Sequence, residues 1–400
     1  MIGGGTAGEG AAFEAGLKGD DVTMVERRHS AEPPWRSWPA LISGSPHKEG
    51  FLNWRGDLPS VLNEEASAVG TGLIVLSSGS RLRFDSVIVA TGNRFEPVAF
   101  PGFRKTGVYV LDGAEKYDEL GRGCASMDEA VVAGEGYRGL EVADRLSSRG
   151  VKVRLMISCW EREPPSPLVL EVIGEVAREK GTEIQRGDVS KAVGNGGVEA
   201  VVTSGSVVPC DAVVVAPPRV PNPVRSALKL GHYGGIEVDR GMRTSVPSLW
   251  AAGGCAELKE SAPGAGVLNT EPRLSGRIAG SNCAGSRHTI GRTRVDEMRV
   301  FGLRWSRMGE RGASAEASLS QAETVSRRWG SECACTITHQ KFSERVLVVE
   351  SVQASESSPA GLPPLGAGAT LEALAFGLGS SDISLISETA RMGLREWRKS

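Results

Sequence analysis

Glycines near the start of the chain have the types and spacing of a dinucleotide-binding loop. The stretch 2–8 contains G-x-G-x-x-G, and the strand-like Val22–Val25 further on runs into an acid. In such a loop the first glycine makes a tight turn, the second lets the backbone approach a diphosphate, and the third lets the helix pack on the sheet. Free N–H groups of the helix face the phosphates, and the acid accepts hydrogen bonds from a ribose. The residues in these roles are Gly3, Gly5, Gly8 and Glu26, with Arg27 beside the acid.

A second loop of the same kind follows the apolar Val131–Ala133. It reads G-x-G-Y-x-G-x-E and again lies between a strand-like and a helix-like segment. With 52 glycines in 400 residues, an isolated glycine triplet carries little weight, but strand, loop, helix and strand in sequence carry much more. The sequence therefore predicts two dinucleotide-binding units. The residues of the second motif are Gly134, Gly136, Tyr137, Gly139 and Glu141.

The remaining pattern predicts the elements that hold these loops. Ser86–Ala90 is a strand running into the small turn Thr91-Gly92, and a helix is expected over about 269–284. Further strands are expected at Val151–Ile157, Val198–Thr203 and Val207–Ala216. From about residue 294 the nucleotide motifs cease. Strand-like segments at Val300–Leu303, Ala334–His339 and Val346–Val352, with helices near 313–320 and at the end of the chain, indicate a separate α+β domain.

Composition limits the class of protein. The chain is 40% hydrophobic and 24% charged, with a net charge of −2, which is typical of a soluble globular protein and gives no electrostatic reason to expect nucleic acid or an anionic membrane as partner. No apolar run approaches the ~20 residues needed to span a bilayer, and no targeting segment is evident. Cytoplasm is therefore expected. Only Met1 and Ile2 are left for the strand before the first loop, so we expect the natural start to lie upstream.

Together these motifs resemble the pyridine nucleotide–disulfide oxidoreductase family, in its branch of coenzyme A–disulfide reductases and NADH oxidases. The likeness also covers the A-T-G turn at Ala90–Gly92, the A-x-x-x-x-P-N segment at Ala216–Asn222 and the strand at Thr244–Gly254 that ends W-A-A-G-G. It implies an α/β fold with two Rossmann-like domains, for FAD and NAD(P), and a C-terminal α+β dimerisation domain. The domains implied are 1–118 with 241–293 for FAD, 119–240 for NAD(P), and 294–400 for dimerisation.

The resemblance also implies roles for individual residues. Gly3, Gly5, Gly8 and Glu26 would hold FAD, and Thr91, Gly92 and Gly254 would complete its site. The glycines of the second motif would hold the diphosphate of NADH or NADPH. Tyr137 would stand over the flavin where the nicotinamide enters, and Glu141 would be a polar partner beside it. A homodimer is implied as well.

Three departures from the family pattern change the expected chemistry. The family's redox cysteine is missing: Arg36 or Ser37 stands in its place, and no cysteine precedes Cys124, so disulfide reduction by the family route is not expected. Gly254 replaces an aspartate, and losing a charge-assisted hydrogen bond of ~1.5–3 kcal/mol predicts roughly ten- to hundredfold weaker FAD binding. In the second dinucleotide-binding unit, Ile157-Ser158 stands at the strand end where an NAD-preferring site would have an acid. Arg162 is a loose candidate for the arginine of an NADP site, so the choice between NAD and NADP stays open.

Other polar residues have weaker patterns. The seven cysteines form neither a disulfide framework nor a paired C-x-x-C set, and Cys255 is interpreted as a small buried thiol. Cys333, Cys335 and His339 alternate along one strand face, but a fourth ligand is missing, so no metal site is predicted. Trp35 and Trp38 are interpreted equally as flavin contacts or as loop caps.

The sequence thus predicts an FAD-dependent NAD(P)H oxidoreductase with a non-thiol acceptor: oxygen, a quinone or a redox protein. Tyr137 and Glu141 would act at the hydride-transfer cleft, and a cationic Arg36 facing the flavin would favour its anionic reduced form. The alternative is a divergent homologue that has lost catalysis and serves as a dinucleotide-binding or structural protein.

Overall fold

The computed structural model describes residues 1–27, 42, 60–160, 163–259, 271–291, 293–310, 322–340, 346–354, 389–390 and 392. They divide into two compact units. Unit 1 holds the described residues of Met1–Trp38, Pro46–Glu96 and Arg219–Gly291; unit 2 holds those of Pro39–Ser45, Pro97–Pro218 and Arg292–Ser400. The units therefore change at 38/39, 45/46, 96/97, 218/219 and 291/292, while the domain boundaries expected at 118, 240 and 293 stay a prediction.

The described residues up to 96 form one long helix and short strands. They are α1 (Thr6–Leu17), β1 (Thr23–Val25), β2 (Ser60–Leu62), β3 (Ala66–Gly70), β4 (Leu73–Leu76), β5 (Arg81–Arg83), β6 (Val87–Val89) and β7 (Asn93–Phe95).

Helices and strands alternate through most of 97–218. The elements are β8 (Val108–Val110), α2 (Ala114–Gly123), β9 (Glu129–Glu135), α3 (Gly136–Ser147), β10 (Lys152–Cys159), α4 (Pro167–Glu179), β11 (Thr182–Arg186), β12 (Val189–Val193), β13 (Ala200–Thr203), β14 (Val207–Pro209) and β15 (Ala212–Ala216). The strand expected over 207–216 is thus two strands. The chain leaves an antiparallel partner at Pro209, and Asp211 N–H donates to Glu129 O (2.9 Å) as β15 enters a parallel sheet.

The chain then returns to unit 1 and ends in unit 2. Residues 219–291 form β16 (Arg219–Pro221), β17 (Arg225–Ser226), β18 (Ile236–Val238), β19 (Leu249–Ala251), β20 (Ala256–Leu258) and α5 (Pro272–Cys283). The described remainder forms β21 (Thr293–Val300), β22 (Leu303–Glu310), β23 (Ala322–Trp329), β24 (Cys333–Gln340) and β25 (Val346–Ala354). Short 3₁₀ turns occupy Cys124–Ser126 and Gly253–Cys255.

The parallel sheet of unit 1 is joined through the first residues of the chain. β1 pairs with β2 on one flank and β6 pairs with β19 on the other, all parallel. Ile2 bridges the two flanks, since its N–H donates to Ile88 O (3.0 Å) and Gly3 N–H donates to Val25 O (2.9 Å). Two residues therefore take the central strand position, directly before the first glycine loop.

Two helices of unit 1 cross at backbone contact. A Cβ built on Gly276 would lie 2.0 Å from Ala7 O, and one on Gly280 would lie 2.2 Å from Ala11 O. Gly276 and Gly280 of α5 (Pro272–Cys283) thus face α1. Their size fixes the distance between α1, which carries the first loop, and α5.

Unit 2 contains a parallel sheet and two antiparallel ones. The parallel sheet has the order β11-β10-β9-β15-β8, and β9 leads directly into α3 through the second glycine loop. β12-β13-β14 form a small meander, and the C-terminal sheet has the order β21-β22-β25-β24-β23.

The strand expected at Val300–Leu303 is wrong. Phe301 (φ 54°) and Gly302 (φ 75°) instead form a two-residue hairpin turn between β21 and β22, a geometry that requires two positive φ angles. The helices expected near 313–320 and at the end of the chain fall largely outside the described residues. The α/β class with two Rossmann-like parallel sheets and a C-terminal domain is confirmed, while dimerisation through that domain stays a prediction.

The described residues contain no helix with both the length and the apolar character that a membrane span requires.

The helix crossing gives a stability test. Gly280→Ala is expected to lower the melting temperature, because its new methyl meets the Ala11 carbonyl and overpacking costs ~1–3 kcal/mol. Gly174→Ala, in α4, is the matched control: no described atom lies within 4 Å of its Cβ position, and alanine favours a helix over glycine by roughly 0.8–1 kcal/mol. Thermal unfolding followed by circular dichroism measures both. Equal melting temperatures for the two variants would contradict the contact.

Candidate functional site

At two positions of the first glycine loop there is no space for a Cβ atom. Gly3 has φ 101°, and a Cβ there would lie 2.3 Å from Ala90 O. A Cβ on Gly8 would lie 1.9 Å from Gly3 O, at the start of α1. A side chain at either position would push the helix off the strand, so these two glycines hold the loop in its folded form.

The apex of this loop is open. Among the described residues no atom lies within 4 Å of a Cβ built on Gly5, and Gly5 caps α1 without a side chain to bond the first helical N–H groups. Glu26, just after β1, accepts a hydrogen bond from Gly4 N–H at 2.6 Å (Oε2). An uncapped helix start with a carboxylate at its flank suits a diphosphate and a ribose diol.

The turn after β6 is fastened to a neighbouring segment of unit 1. Thr91 Oγ1 donates to Asn222 O (2.6 Å), and Asn222 N–H donates to Gly92 O (3.0 Å). The A-T-G turn and the P-N segment of the sequence therefore form one structure. Gly92 has φ 69°, which favours glycine at that position.

The Asn93 side chain fills the space beside Gly254, the position where the family has an aspartate. Gly254 is buried in a 3₁₀ turn, and a Cβ there would lie 2.3 Å from Asn93 Nδ2. The amide of Asn93 thus occupies the position from which a side chain at 254 would extend. Sequence reasoning missed this residue; its place directly after the A-T-G turn was the available signal.

The second glycine loop repeats the backbone form of the first. Gly134 has φ 125°, and a Cβ there would lie 2.2 Å from Ala216 O, as Gly3 lies against Ala90. Gly139 packs on β10: a Cβ there would lie 2.8 Å from a methyl of Leu155. Both loops therefore join a buried parallel strand to a helix through the same turn.

The first N–H groups of α3, however, already have a hydrogen-bond acceptor within the chain. The Glu135 carboxylate, 1% exposed, accepts hydrogen bonds from Tyr137 N–H (3.1 Å) and Arg138 N–H (2.9 Å). The indole of Trp160 covers Gly136, since a Cβ there would lie 2.5 Å from a ring carbon. The N–H groups that would bind a diphosphate therefore already bond to Glu135. The sequence motif did not reveal this role of Glu135, because the motif is defined by its glycines.

Tyr137 is packed inside unit 2. Its ring is 5% exposed, meets Trp160 edge-on (centroids 4.9 Å apart) and lies 5.5 Å from the ring of Trp305 in β22. Its hydroxyl donates to Glu163 O at 2.6 Å. Glu141 lies half-buried on α3. The cleft roles expected for Tyr137 and Glu141 stay predictions.

The other expected site residues divide by location. Arg27 is exposed at the end of β1. Arg36, with Trp35, Ser37 and Trp38, and Arg162 lie outside the described residues. Among the described residues no group of three or more His, Cys, Asp or Glu side chains is arranged to hold a metal ion.

Burial raises the pKa of several cysteine thiols in this chain. Cys255 is 0% exposed, and burial raises the pKa of its thiol. Burial likewise raises the pKa of Cys210 to about 11 and that of Cys335 to about 12. A thiol that stays protonated is a poor nucleophile, so Cys255 fits the interpretation of a buried structural thiol.

The two loops fit their groups differently. The first fits the diphosphate of FAD, because Gly5 leaves the helix start open and Glu26 stands at its flank. The second, as described, does not fit a pyridine nucleotide: the Glu135 carboxylate occupies the anion position.

The thiols give a reactivity test. At pH 7 native protein should resist alkylation at Cys255, Cys210 and Cys335, because their raised pKa values keep them protonated and burial shields them. Mass spectrometry after brief iodoacetamide treatment reads each site, with urea-unfolded protein as the control in which all seven react. Rapid native labelling of Cys255 would contradict the assignment.

Glu26 gives a binding test. Glu26→Gln removes the charged acceptor of Gly4 N–H, and a hydrogen bond to a charged group contributes ~1.5–3 kcal/mol. FAD affinity, measured by flavin fluorescence quenching, should fall about ten- to hundredfold. Glu65→Gln, an exposed acid in the same unit, should leave affinity unchanged. Equal affinities for both variants would remove Glu26 from the site.

The chain is similar in sequence or structure to several known oxidoreductases. The chain is 28% identical over 312 residues to an "NAD(P)H sulfur oxidoreductase (CoA-dependent)" of Pyrococcus abyssi, covering 71% of this chain and 69% of that one. It is 26% identical over 273 residues to a "Probable ferredoxin reductase CtmF" of Castellaniella defragrans, covering 63% and 66%. In structure it is similar to the water-forming NADH oxidase of Lactobacillus brevis, with TM-score 0.82 and 17% identity, covering 100% of this chain and 98% of that one.

A family model described as "Pyridine nucleotide-disulphide oxidoreductase" matches residues 1–269. That range includes both glycine loops, the A-T-G turn and the 3₁₀ turn at Gly253–Cys255. The predicted cofactors, FAD with NADH or NADPH, are confirmed as those of this kind of protein. As the sequence predicted, the chain belongs to the pyridine nucleotide–disulphide oxidoreductase family.

Proposed function

We propose that this chain is an FAD-dependent NAD(P)H oxidoreductase that passes electrons from a nicotinamide co-substrate through FAD to an acceptor other than a protein thiol. The observation that carries the proposal is the first loop. Its helix start is open at Gly5, and Glu26 stands beside it. Membership of the family supports the same activity.

The residues of unit 1 act by binding and positioning. The N–H groups at the start of α1 would face the negative charge of the diphosphate, and Glu26 would accept from the adenosine ribose. Thr91 and Gly92 hold the adjoining turn through Asn222. Bound FAD supplies the hydride and electron chemistry, while the protein supplies orientation and electrostatics.

The non-thiol acceptor is supported by the cysteines. No cysteine precedes Cys124, and Cys255, which follows the 3₁₀ glycines, is fully buried with a raised pKa. We propose oxygen, a quinone or a redox protein as the acceptor, and a ferredoxin reductase among the relatives favours the last. The same proposal includes three residue roles: Arg36 favours the anionic reduced flavin, Tyr137 gates entry of the nicotinamide, and Glu141 lies beside it. The proposed assembly is a cytoplasmic homodimer.

A second candidate is a divergent homologue that binds FAD without turnover. The observation that favours it is the second loop, where Glu135 and Trp160 occupy the approach to α3. The two candidates differ in whether NADH or NADPH, at any concentration, delivers electrons to the flavin.

Anaerobic reduction of the flavin decides between them. The FAD-loaded protein should lose its yellow colour when NADH or NADPH is added in large excess, and should recover it on addition of oxygen, a quinone or a ferredoxin. Cys255→Ala is the matched variant and should behave like the wild type, because that thiol has no redox role in the proposal. Flavin that stays oxidised under both nucleotides would favour the non-catalytic candidate. Reoxidation lost only in Cys255→Ala would overturn the non-thiol acceptor.

A further inference from the structure

The two glycine loops of this chain differ at the residue between their first two glycines. That residue is Gly4 in the first loop and Glu135 in the second. Both loops follow a buried parallel strand, and both turn through a glycine of positive φ, 101° at Gly3 and 125° at Gly134. The first loop can therefore be compared directly with the second to see what the Glu135 side chain changes.

Glu135 acts as the anion of its own loop. Its two carboxylate oxygens accept separately, Oε1 from Tyr137 N–H (3.1 Å) and Oε2 from Arg138 N–H (2.9 Å). The Arg138 guanidinium lies 3.9 Å away (Nε to Oε2), and both side chains are at most 3% exposed. These are the backbone donors that bind a phosphate in an open loop. The Glu135 carboxylate is thus in the place that a phosphate takes in an open loop.

Trp160 covers the same loop from the strand side. It follows β10 directly, and its ring carbon lies 2.5 Å from a Cβ position on Gly136. At the equivalent glycine of the first loop, Gly5, no atom of the part of the chain that the structure describes lies within 4 Å of that position. One loop is open where the other is filled.

We infer that Glu135 sets the affinity of this protein for pyridine nucleotides, by competing within the chain for the N–H groups that would bind the nucleotide diphosphate. The inference deepens the proposed function and rests on it for the identity of the ligand. Binding at this loop requires the carboxylate to leave both N–H groups, so the wild type binds weakly. The diphosphate is common to NADH and NADPH, so Glu135 weakens both by the same factor.

Replacement of Glu135 by a small neutral cap tests the competition. Serine caps helices well, so Glu135→Ser keeps a cap on α3 while it removes the charge and most of the side chain. Binding is measured by calorimetry on the full chain saturated with FAD, with ADP-ribose, NADH and NADPH as ligands. ADP-ribose carries the diphosphate without the nicotinamide, so its affinity does not depend on any contact with the flavin. Each ligand should bind about tenfold more tightly, or better, to Glu135→Ser.

Two further variants complete the design. Glu135→Gln keeps the shape and removes the charge, so it should fall between the wild type and Glu135→Ser, and it carries the test if the serine variant does not fold. Glu129→Ser removes the same charge from the exposed first residue of β9, and should bind all three ligands as the wild type does.

The outcomes separate this inference from the proposed function. A gain of about tenfold for all three ligands supports the inference, even where the flavin is never reduced and the proposed function fails. A smaller gain, or a gain for one nucleotide alone, overturns it, even where the wild-type flavin is reduced by NADH. An equal gain in Glu129→Ser also overturns it, because net charge would then be the cause.

Discussion

The N–H groups at the start of a helix need an acceptor, and in this chain that requirement separates the two glycine loops. α1 begins after Gly5, which has no side chain to offer, whereas α3 begins after Glu135, whose carboxylate bonds two of its N–H groups. The same backbone turn thus leaves one helix dipole for a ligand and satisfies the other within the chain. We therefore propose that the open loop binds FAD and that the closed one limits the affinity for the second nucleotide.

Small residues allow close backbone packing around the open loop. Gly3 and Gly8 bring the turn against Ala90 and against itself, and Gly276 and Gly280 bring α5 against α1 at backbone distance. Ile2 ties the flanks of the parallel sheet together directly before this turn. The position of the N–H groups is therefore set by close backbone packing on three sides. Binding energy at such a site is not spent on ordering the loop.

Sequence reasoning predicted those parts of the site that depend on backbone alone. Gly3, Gly8 and Gly134 are predictable because a Cβ at each would meet a backbone carbonyl, and the spacing of glycines in the motif reflects this. The same motifs indicate the family. Apolar runs predict the strand–loop–helix order around each loop and hence the parallel sheets, but they do not distinguish the hairpin turn at Phe301-Gly302 from a strand.

The rest depends on where side chains point. Glu135 is an unremarkable residue in a motif defined by its glycines, and whether it caps α3 depends on a rotamer that spacing does not determine. Asn93 and Gly254 are far apart in the sequence, so the amide that fills the space beside Gly254 is a tertiary fact. Likewise the packing of Tyr137 between Trp160 and Trp305 arises because β22 of the C-terminal sheet lies near α3, which no local pattern encodes.

We propose that the first loop accepts a diphosphate as it stands and the second only after Glu135 moves. Crystal structures of the FAD-loaded protein, alone and with ADP-ribose, distinguish these two behaviours. The FAD diphosphate should lie at the start of α1 in both crystals. The Glu135 carboxylate should lie on Tyr137 and Arg138 N–H in the first crystal, and phosphate oxygens should replace it in the second. A diphosphate seated on α3 beside an unmoved Glu135, or FAD held away from Gly5, would contradict it.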